Sequence, residues 1–457
     1  MDTANDIIGI IGSYVWGPFL ITLLVGTGIY LTVILKGIQF RGLTHSIAII
    51  TGKYDNPHDE GEISHFQALS AALSATIGTG NIAGVATAIA SGGPGAVFWM
   101  WITAVFGMAT KYTSCLLSLK FRTFLPDGST SGGPMYYLKD GLRLGWLGWF
   151  FAFFTCLASF GIGNMVQANS VATPLYDILH VPKAVSGVLI AFLVGLVIIG
   201  GIRRIGRVAS FVVPFMSVLY ILGAMIIIVI NIEKVPETFA LIMRHAFSPV
   251  AATGGFLGAT VMQTIRFGVA RGVFSNESGL GSAPIAHAAA KTKEPVREGL
   301  VAMVGPLIDT VIICSMTALV IIISGLWKTT GPNGNQLTGA TLSAEAFEAG
   351  LPFVGHYIVA FGLVFFAFST MISWSYYGER CAEYLFGSHM IKPYRWIFVL
   401  LILIGAISKL ELIWNLSDVA NGLMAFPNLV GILGLSGVVV METKDYFSRK
   451  QTKFKER

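Results

Sequence analysis

Runs of roughly 20 predominantly apolar residues recur from residue 14 to residue 441, and that is the length an α-helix needs to cross the hydrocarbon core of a bilayer. Eleven such segments are expected, at 14–36, 66–91, 95–119, 146–177, 183–200, 207–231, 252–288, 299–326, 352–384, 394–409 and 412–441. Lipid offers the backbone no hydrogen bonds, so spanning structure must be helical or a closed barrel. Runs of this length select helices, and the expected class is an all-α integral membrane protein. Only 12% of the residues are charged and the mean hydropathy is +0.72, against about 25% charged in soluble domains.

Basic residues orient the chain. The loops at 37–65, 120–145, 201–206, 289–298, 385–393 and 442–457, with their helix ends, carry 23 of the 30 Lys and Arg, Lys111 counted among them. Lys183, Lys234, Arg244, Lys328 and Lys409 fall on the other side, and Arg266 and Arg271 lie in segment seven. Cytoplasmic loops are the basic ones, so the N-terminus is expected outside and the C-terminus inside. The net charge of +6 follows from attraction to anionic inner-leaflet lipid and needs no nucleic-acid partner; residues 442–457 read as a solvated, lipid-facing cytoplasmic tail. Cys115, Cys156, Cys314 and Cys381 lack CxxC spacing and suggest packing rather than disulfides or zinc. The N-terminus lacks a basic region of signal-peptide type, so the first segment is expected to remain as a helix. The whole chain reads as one membrane domain.

Two of these helices carry their own breakers. In "SATIGTGNIAGVATAI" (74–89), Gly78, Gly80 and Gly84 stand with Thr79 and Asn81 in the middle of segment two. In "RFGVARGVFSNESGLGSAPIAHAAA" (266–290), Ser275, Asn276, Glu277 and Ser278 stand with Gly279 and Gly281 in segment seven. Irregular backbone at membrane depth is tolerated only where it lines a cavity, and an intramembrane carboxylate is expensive enough to mark function. Paired interruptions in two halves point to a secondary transporter with inverted repeats: an accessory helix at 14–36, a first five-helix unit at 66–231 and a second at 252–441.

The stretches "GTGNIAGVATAIASGGPGAVFWMWITAVFGMATKY" (78–112), "GIGNMVQANS" (161–170), "RGVFSNESGLGSAPIAHA" (271–288) and "FSTMISWSYYGE" (368–379) together resemble the alanine or glycine:cation symporter family. The resemblance implies a LeuT-type fold with one helix added at the N-terminus, and Na⁺-coupled uptake of small neutral amino acids (alanine, glycine) through the cell membrane, without enzymatic activity or an organic cofactor, by a protein functional as a monomer.

Half-helix N-termini suit a carboxylate, while unwound carbonyls suit Na⁺. The substrate carboxylate is therefore assigned to the backbone at Gly78, Thr79 and Gly80, and the rest of the pocket to Phe274, Ser275, Asn276, Gln167 and Trp374. Trp374 lies well inside its segment, unlike the other tryptophans near segment ends, and reads as a wall that limits substrate size. The resemblance suggests a Na⁺ site from the carbonyls of Ser74, Ile77 and Phe366 with the hydroxyls of Ser369 and Thr370, and a second from Thr76, Asn81 and Asp309. Glu277 is expected to hold unwound backbone or to pair with Arg271, and Asp418 to serve helix-end polar chemistry. The external loop 327–352 is expected to form a lid helix at 342–349.

Three other classes fit the sequence less well. An intramembrane protease lacks its motifs, since HExxH is absent and Ser282 is followed by Ala283. A channel lacks a repeated filter or charge ring. A proton-coupled or exchanging carrier of the same fold would use Glu277 or Asp309 as its proton site.

Overall fold

The computed structural model describes residues 2–126, 128–251, 258–331, 334–408 and 411–451, the side chains of 2–4, 177–179 and 411 excepted. The start of segment seven at 252–257, Lys409, and tail residues 452–457 lie outside the described residues.

Among the described residues, eight helices are long and apolar enough to span a bilayer, and nine if the bent pair His65–Thr76 and Gly80–Gly92 is one span. Lys183–Ile198 is a shorter apolar helix, and segment seven is divided into Val261–Asn276 and Ala283–His287. Helix Gly201–Ile230 shows why both faces must be apolar: Ala209, Val213, Met216, Tyr220 and Ala224 are buried, while Phe211, Phe215, Val218, Leu222 and Ile226 face outward. Helix Ala96–Lys120 is buried nearly throughout. Along it lies Val261–Asn276, where Gly268 and Gly272, four apart, admit the Ala96 carbonyl and the Thr103 hydroxyl to within 2.4 Å of where a Cβ would sit. Small residues of this kind bring helix backbones together where lipid supplies no hydrophobic drive.

Both broken segments begin alike. Ser64 with Gln67, and Thr260 with Gln263, form reciprocal capping boxes that satisfy the first amides.

Several boundaries differ from expectation. The accessory segment expected at 14–36 is the helix Pro18–Ile34, and a separate, unanticipated helix Asp2–Val15 precedes it; the break falls at Pro18, which cannot donate into a continuing ladder but is well placed as a first helical residue. Segment eleven, expected to run to 441, ends at Gly434, and a separate helix Ser436–Ser448 follows. The described part of the expected solvated tail is therefore docked: the Tyr446 hydroxyl meets His45 Nε2 at 2.7 Å, Thr443 meets Tyr112 at 2.7 Å, and Arg449 pairs with Glu294 at 3.0 Å. Unanticipated helices occupy Ile38–Arg41, Leu43–Ile50 and Val235–Phe247. The lid helix is longer than expected, Gly339–Gly350.

Lys111 corrects the charge count. It is 2% exposed inside Ala96–Lys120, with Nζ 3.4 Å from the place a Cβ would take on Gly305. Its helix phase turns it inward against segment eight, so it belongs to the interior and not to a basic loop.

Candidate functional site

Segment two bends by 53° at its break. Ile77 leaves helical conformation with ψ 92°, and the Gly78 amide donates to Asn81 Oδ1 at 2.8 Å. A Cβ on Gly78 would come within 2.7 Å of Thr370 Oγ1, so the glycine lets segment nine touch the opened backbone. The chain resumes at Gly80–Gly84 as a π-helical turn. In segment seven the helix stops at Glu277, which adopts the left-handed conformation with φ 54°; Gly279 and Gly281 follow with φ 92° and 93°, a region that glycine enters without steric cost. The freed Gly279 carbonyl accepts from Asn428 Nδ2 at 2.7 Å.

Between the two openings lies a cavity of about 20 Å³ lined by Ala75, Thr76, Gly78, Thr79, Gly80, Ile162, Gln167, Phe274, Glu277, Thr370, Trp374 and Asn421. Seven sequence-assigned residues thus converge with the second-site candidate Thr76. The space suits about one water molecule. Among the described residues, Gln167 Oε1 and Asn421 Oδ1 are buried without a donor, and the Thr79 amide has no protein acceptor. Unpaired acceptors and a free amide on one cavity suit a solute that carries both an ammonium and a carboxylate.

Glu277 stands at the centre of this wall. It accepts from Trp374 Nε1 at 3.0 Å and from the Ser282 hydroxyl at 2.5 Å. The expected Arg271 partner is wrong among the described contacts: Arg271 lies over the Phe274 ring at 5.7 Å instead, because the left-handed turn swings Glu277 inward, away from its own helix face.

Ser275 and Asn276, assigned to the pocket, do not line it. Ser275 donates to Asp309 Oδ2 at 2.9 Å and Asn276 to Thr310 Oγ1 at 3.2 Å, since their helix phase points to segment eight. Asp309 Oδ1 accepts from Asn81 Nδ2 at 2.7 Å and Oδ2 also from Thr310 at 2.7 Å. One carboxylate therefore ties the two breaks together. Asp309 sits in a π-helical stretch, Leu307–Cys314, and Gln167 follows another, Gly161–Met165; such turns shift the phase of all that follows and often mark functional positions. Thr76 instead turns back to the Ala72 and Leu73 carbonyls, both at 3.3 Å, so Thr76, Asn81 and Asp309 do not gather as one ligand set.

At the other seam, Thr370 Oγ1 lies 2.9 Å from the Phe366 carbonyl and 3.5 Å from that of Ala75, and Ser74 Oγ donates to the Ser369 carbonyl at 2.6 Å. Ile77, fully buried, ends the first half-helix beside them. The Ser369 hydroxyl departs from expectation: it bonds the Phe366 carbonyl at 2.9 Å and faces Met216 Sδ at 3.5 Å, one residue out of phase with Thr370. Asn421 and the cavity-facing role of Glu277 were missed. A polar residue deep in "SDVANG" was the available signal for Asn421.

The end bearing the basic loops is sealed below the cavity. Glu298 accepts from His287 Nδ1 at 2.5 Å and also bonds His65 Nδ1, all three being at most 1% exposed. The Lys291 amide donates to the Ile63 carbonyl at 2.8 Å, and Arg122 holds the carbonyls of Ala288, Ala290, Glu60 and Thr292 at 2.7–3.1 Å. Toward the opposite end two larger spaces open: one of about 420 Å³ beneath the lid helix, sharing Thr79, and one of about 210 Å³ sharing Phe274.

Two membrane helices unwound around one buried polar cavity, sealed toward one end, define a multi-pass membrane transporter. Residues 1–457 match the sodium:alanine symporter family in full, and the chain belongs to that family. It is 50% identical over 445 residues to the sodium/alanine symporter AgcS of Methanococcus maripaludis, covering 96% of this chain and 97% of the relative. It is 39% identical to the probable sodium/glutamine symporter GlnT of Bacillus subtilis, over 98% of this chain and 91% of that one. Among solved structures it resembles a manganese transporter of Eremococcus coleocola, with TM-score 0.51 at 13% identity, covering 84% of this chain and 86% of that one. That likeness speaks to the fold alone.

Proposed function

We propose that this protein is a monomeric symporter of the cell membrane that takes up a small neutral amino acid, alanine or glycine, with Na⁺. Eleven segments cross the bilayer with the N-terminus outside, in a LeuT-type arrangement of an accessory helix followed by two inverted units at 66–231 and 252–441. The observation that carries this reading is the cavity itself: Thr79, Gly80, Gln167, Phe274, Glu277 and Trp374 meet where both helices open. The free Thr79 amide at the foot of the outer half-helix receives the carboxylate, where the helix dipole favours negative charge. The orphaned oxygens of Gln167 and Asn421 receive the ammonium. Na⁺ is held at the seam of Ser74, Ile77, Phe366 and Thr370, and Asp309 with Asn81 keeps both breaks in register.

The cavity admits only about one water, so a larger solute is accommodated by parting of its walls. Alternating access follows: Na⁺ and amino acid close the outer side, and the clasp at Glu298 then releases the inner one. One Na⁺ moving through about 100 mV supplies about 2.3 kcal/mol, and a tenfold Na⁺ gradient adds about 1.4 kcal/mol. Together they support accumulation of several hundredfold.

The test is uptake of radiolabelled alanine into proteoliposomes. Uptake is expected to require an inward Na⁺ gradient and to persist without a pH gradient. Uptake driven by protons alone would transfer the coupling to Glu277 or Asp309 and reject the Na⁺ seam.

A further inference from the structure

We propose that a pocket of about 460 Å³ at the end bearing the basic loops binds a phosphate group, carried by an anionic lipid headgroup or free in solution. The proposal is independent of the substrate reading, and this pocket shares no lining residue with the central cavity. It lies where three helix ends meet: the start of Gly201–Ile230, the end of Gly355–Phe386 and the start of Ile391–Ile407. Its cationic lining is Arg203, Arg380, Lys392 and Arg395, against the carboxylates of Glu62 and Glu379.

Both carboxylates are already engaged. Glu379 accepts from Arg380 Nη2 at 2.7 Å and from Arg395 Nε and Nη2 at 2.5 and 2.9 Å, so one negative charge orients two guanidinium groups and leaves the floor net positive. Glu62 accepts from the Thr130 amide at 2.8 Å and lies 3.6 Å from Arg203 Nε. Arg380 is 3% exposed, yet its Nε is buried without an acceptor among the described residues. Lys392 is exposed and forms no ion pair among them. No side chain caps Gly201–Ile230, whose first three residues line the same space, and such a helix start presents amides and the positive end of the helix dipole to an anion. Gly201 takes φ 62°, and a Cβ there would come within 3.2 Å of Arg395 Nη2, so the glycine keeps helix start and guanidinium side by side.

An amino acid would bring an ammonium that finds no spare carboxylate, and a metal cation would meet a net positive wall. A phosphate offers several acceptor oxygens to this spread of donors. The depth also fits a headgroup: Ile199, Phe386 and Trp396 are exposed beside the three helix ends, and exposed tryptophan belongs at the membrane interface, where anionic lipid attracts Lys and Arg.

Thermal melts of the purified full-length protein in dodecyl maltoside test this, with phosphatidylglycerol, phosphatidylcholine or sodium phosphate added at constant ionic strength. Wild type is expected to melt higher with phosphatidylglycerol than with phosphatidylcholine, whose choline masks the phosphate charge. Half of the effect is expected to need about fivefold more phosphatidylglycerol in Arg203→Gln and in Lys392→Gln, the loss of one basic contact to an anionic headgroup, and the wild-type amount in Lys53→Gln, a basic-loop control. Arg203 is 71% exposed and Lys392 is exposed, so all variants are expected to melt as wild type without additive. Sodium phosphate separates the sources: a rise with it that the same two variants weaken assigns the site to free phosphate, and a rise confined to phosphatidylglycerol assigns it to the headgroup. No rise with either probe, or equal sensitivity in Lys53→Gln and the two pocket variants, would overturn the site.

Discussion

The indole of Trp374 donates to Glu277 Oε1 at 3.0 Å, so the aromatic wall on segment nine is fixed by the carboxylate that ends the helix in segment seven. The wall and the second break are therefore joined by a direct hydrogen bond. Gly163 faces the Trp374 side chain, with 2.5 Å left for a Cβ, which closes the other side of the ring.

Trp374→Ala removes the wall. Larger neutral amino acids such as leucine are then expected to compete with alanine for uptake, while stability falls by about 3–5 kcal/mol, as for other buried aromatic truncations. An unaltered competitor profile in a folded variant would take Trp374 out of the size-limiting role.

Thr370→Val keeps the shape of segment nine and removes the hydroxyl that faces the Ala75 and Phe366 carbonyls. The Na⁺ concentration for half-maximal uptake is expected to rise roughly tenfold, equivalent to about 1.4 kcal/mol, and Thr370→Ser is expected to retain most of the affinity. Identical Na⁺ activation curves for wild type and the valine variant would dismiss this seam as the ion site.

Glu298→Gln tests the clasp that joins His65 to His287. Removing one partner of a buried charged cluster costs about 3–5 kcal/mol, and here the loss falls on the contact between His65, which opens segment two, and His287, which ends segment seven. Amide exchange in His65–Thr76 and Ala283–His287 is expected to accelerate about a hundredfold at a loss near 3 kcal/mol, with other helices unaffected. Uniform acceleration would mean a general loss of stability instead.

The helix Gly339–Gly350 is expected to loosen in acid. Glu348 accepts from the Phe353 and His356 amides at 2.7 and 3.1 Å, and these N–H bonds hold its carboxyl below the ordinary carboxylate range. A depressed folded value means that the stabilisation is present above the unfolded value, near 4.3, and is lost as pH falls through the folded one. Exchange in Gly339–Gly350 is expected to rise in that acid window, and Glu348→Gln to show the faster exchange at neutral pH with no acid step. An acid step of the same size in Glu348→Gln would assign the effect to another group.

The sequence by itself determined that this chain is a bundle of membrane helices with two openings, because lipid demands local satisfaction of every backbone group and Gly78–Gly80 and Glu277–Gly281 announce where that demand is relaxed. It also placed Thr370 and Trp374 on one face, since residues four apart on a helix share a side. Only the tertiary structure decided the rest. The π-helical turns before Gln167 and around Asp309 alter helix phase in ways that apolar runs do not encode. Ser275 and Asn276 turned to segment eight, Ser369 to Met216, and Lys111 inward toward Gly305. Each of those directions depends on which neighbour fills the adjacent face, a choice made by packing between segments distant in the chain.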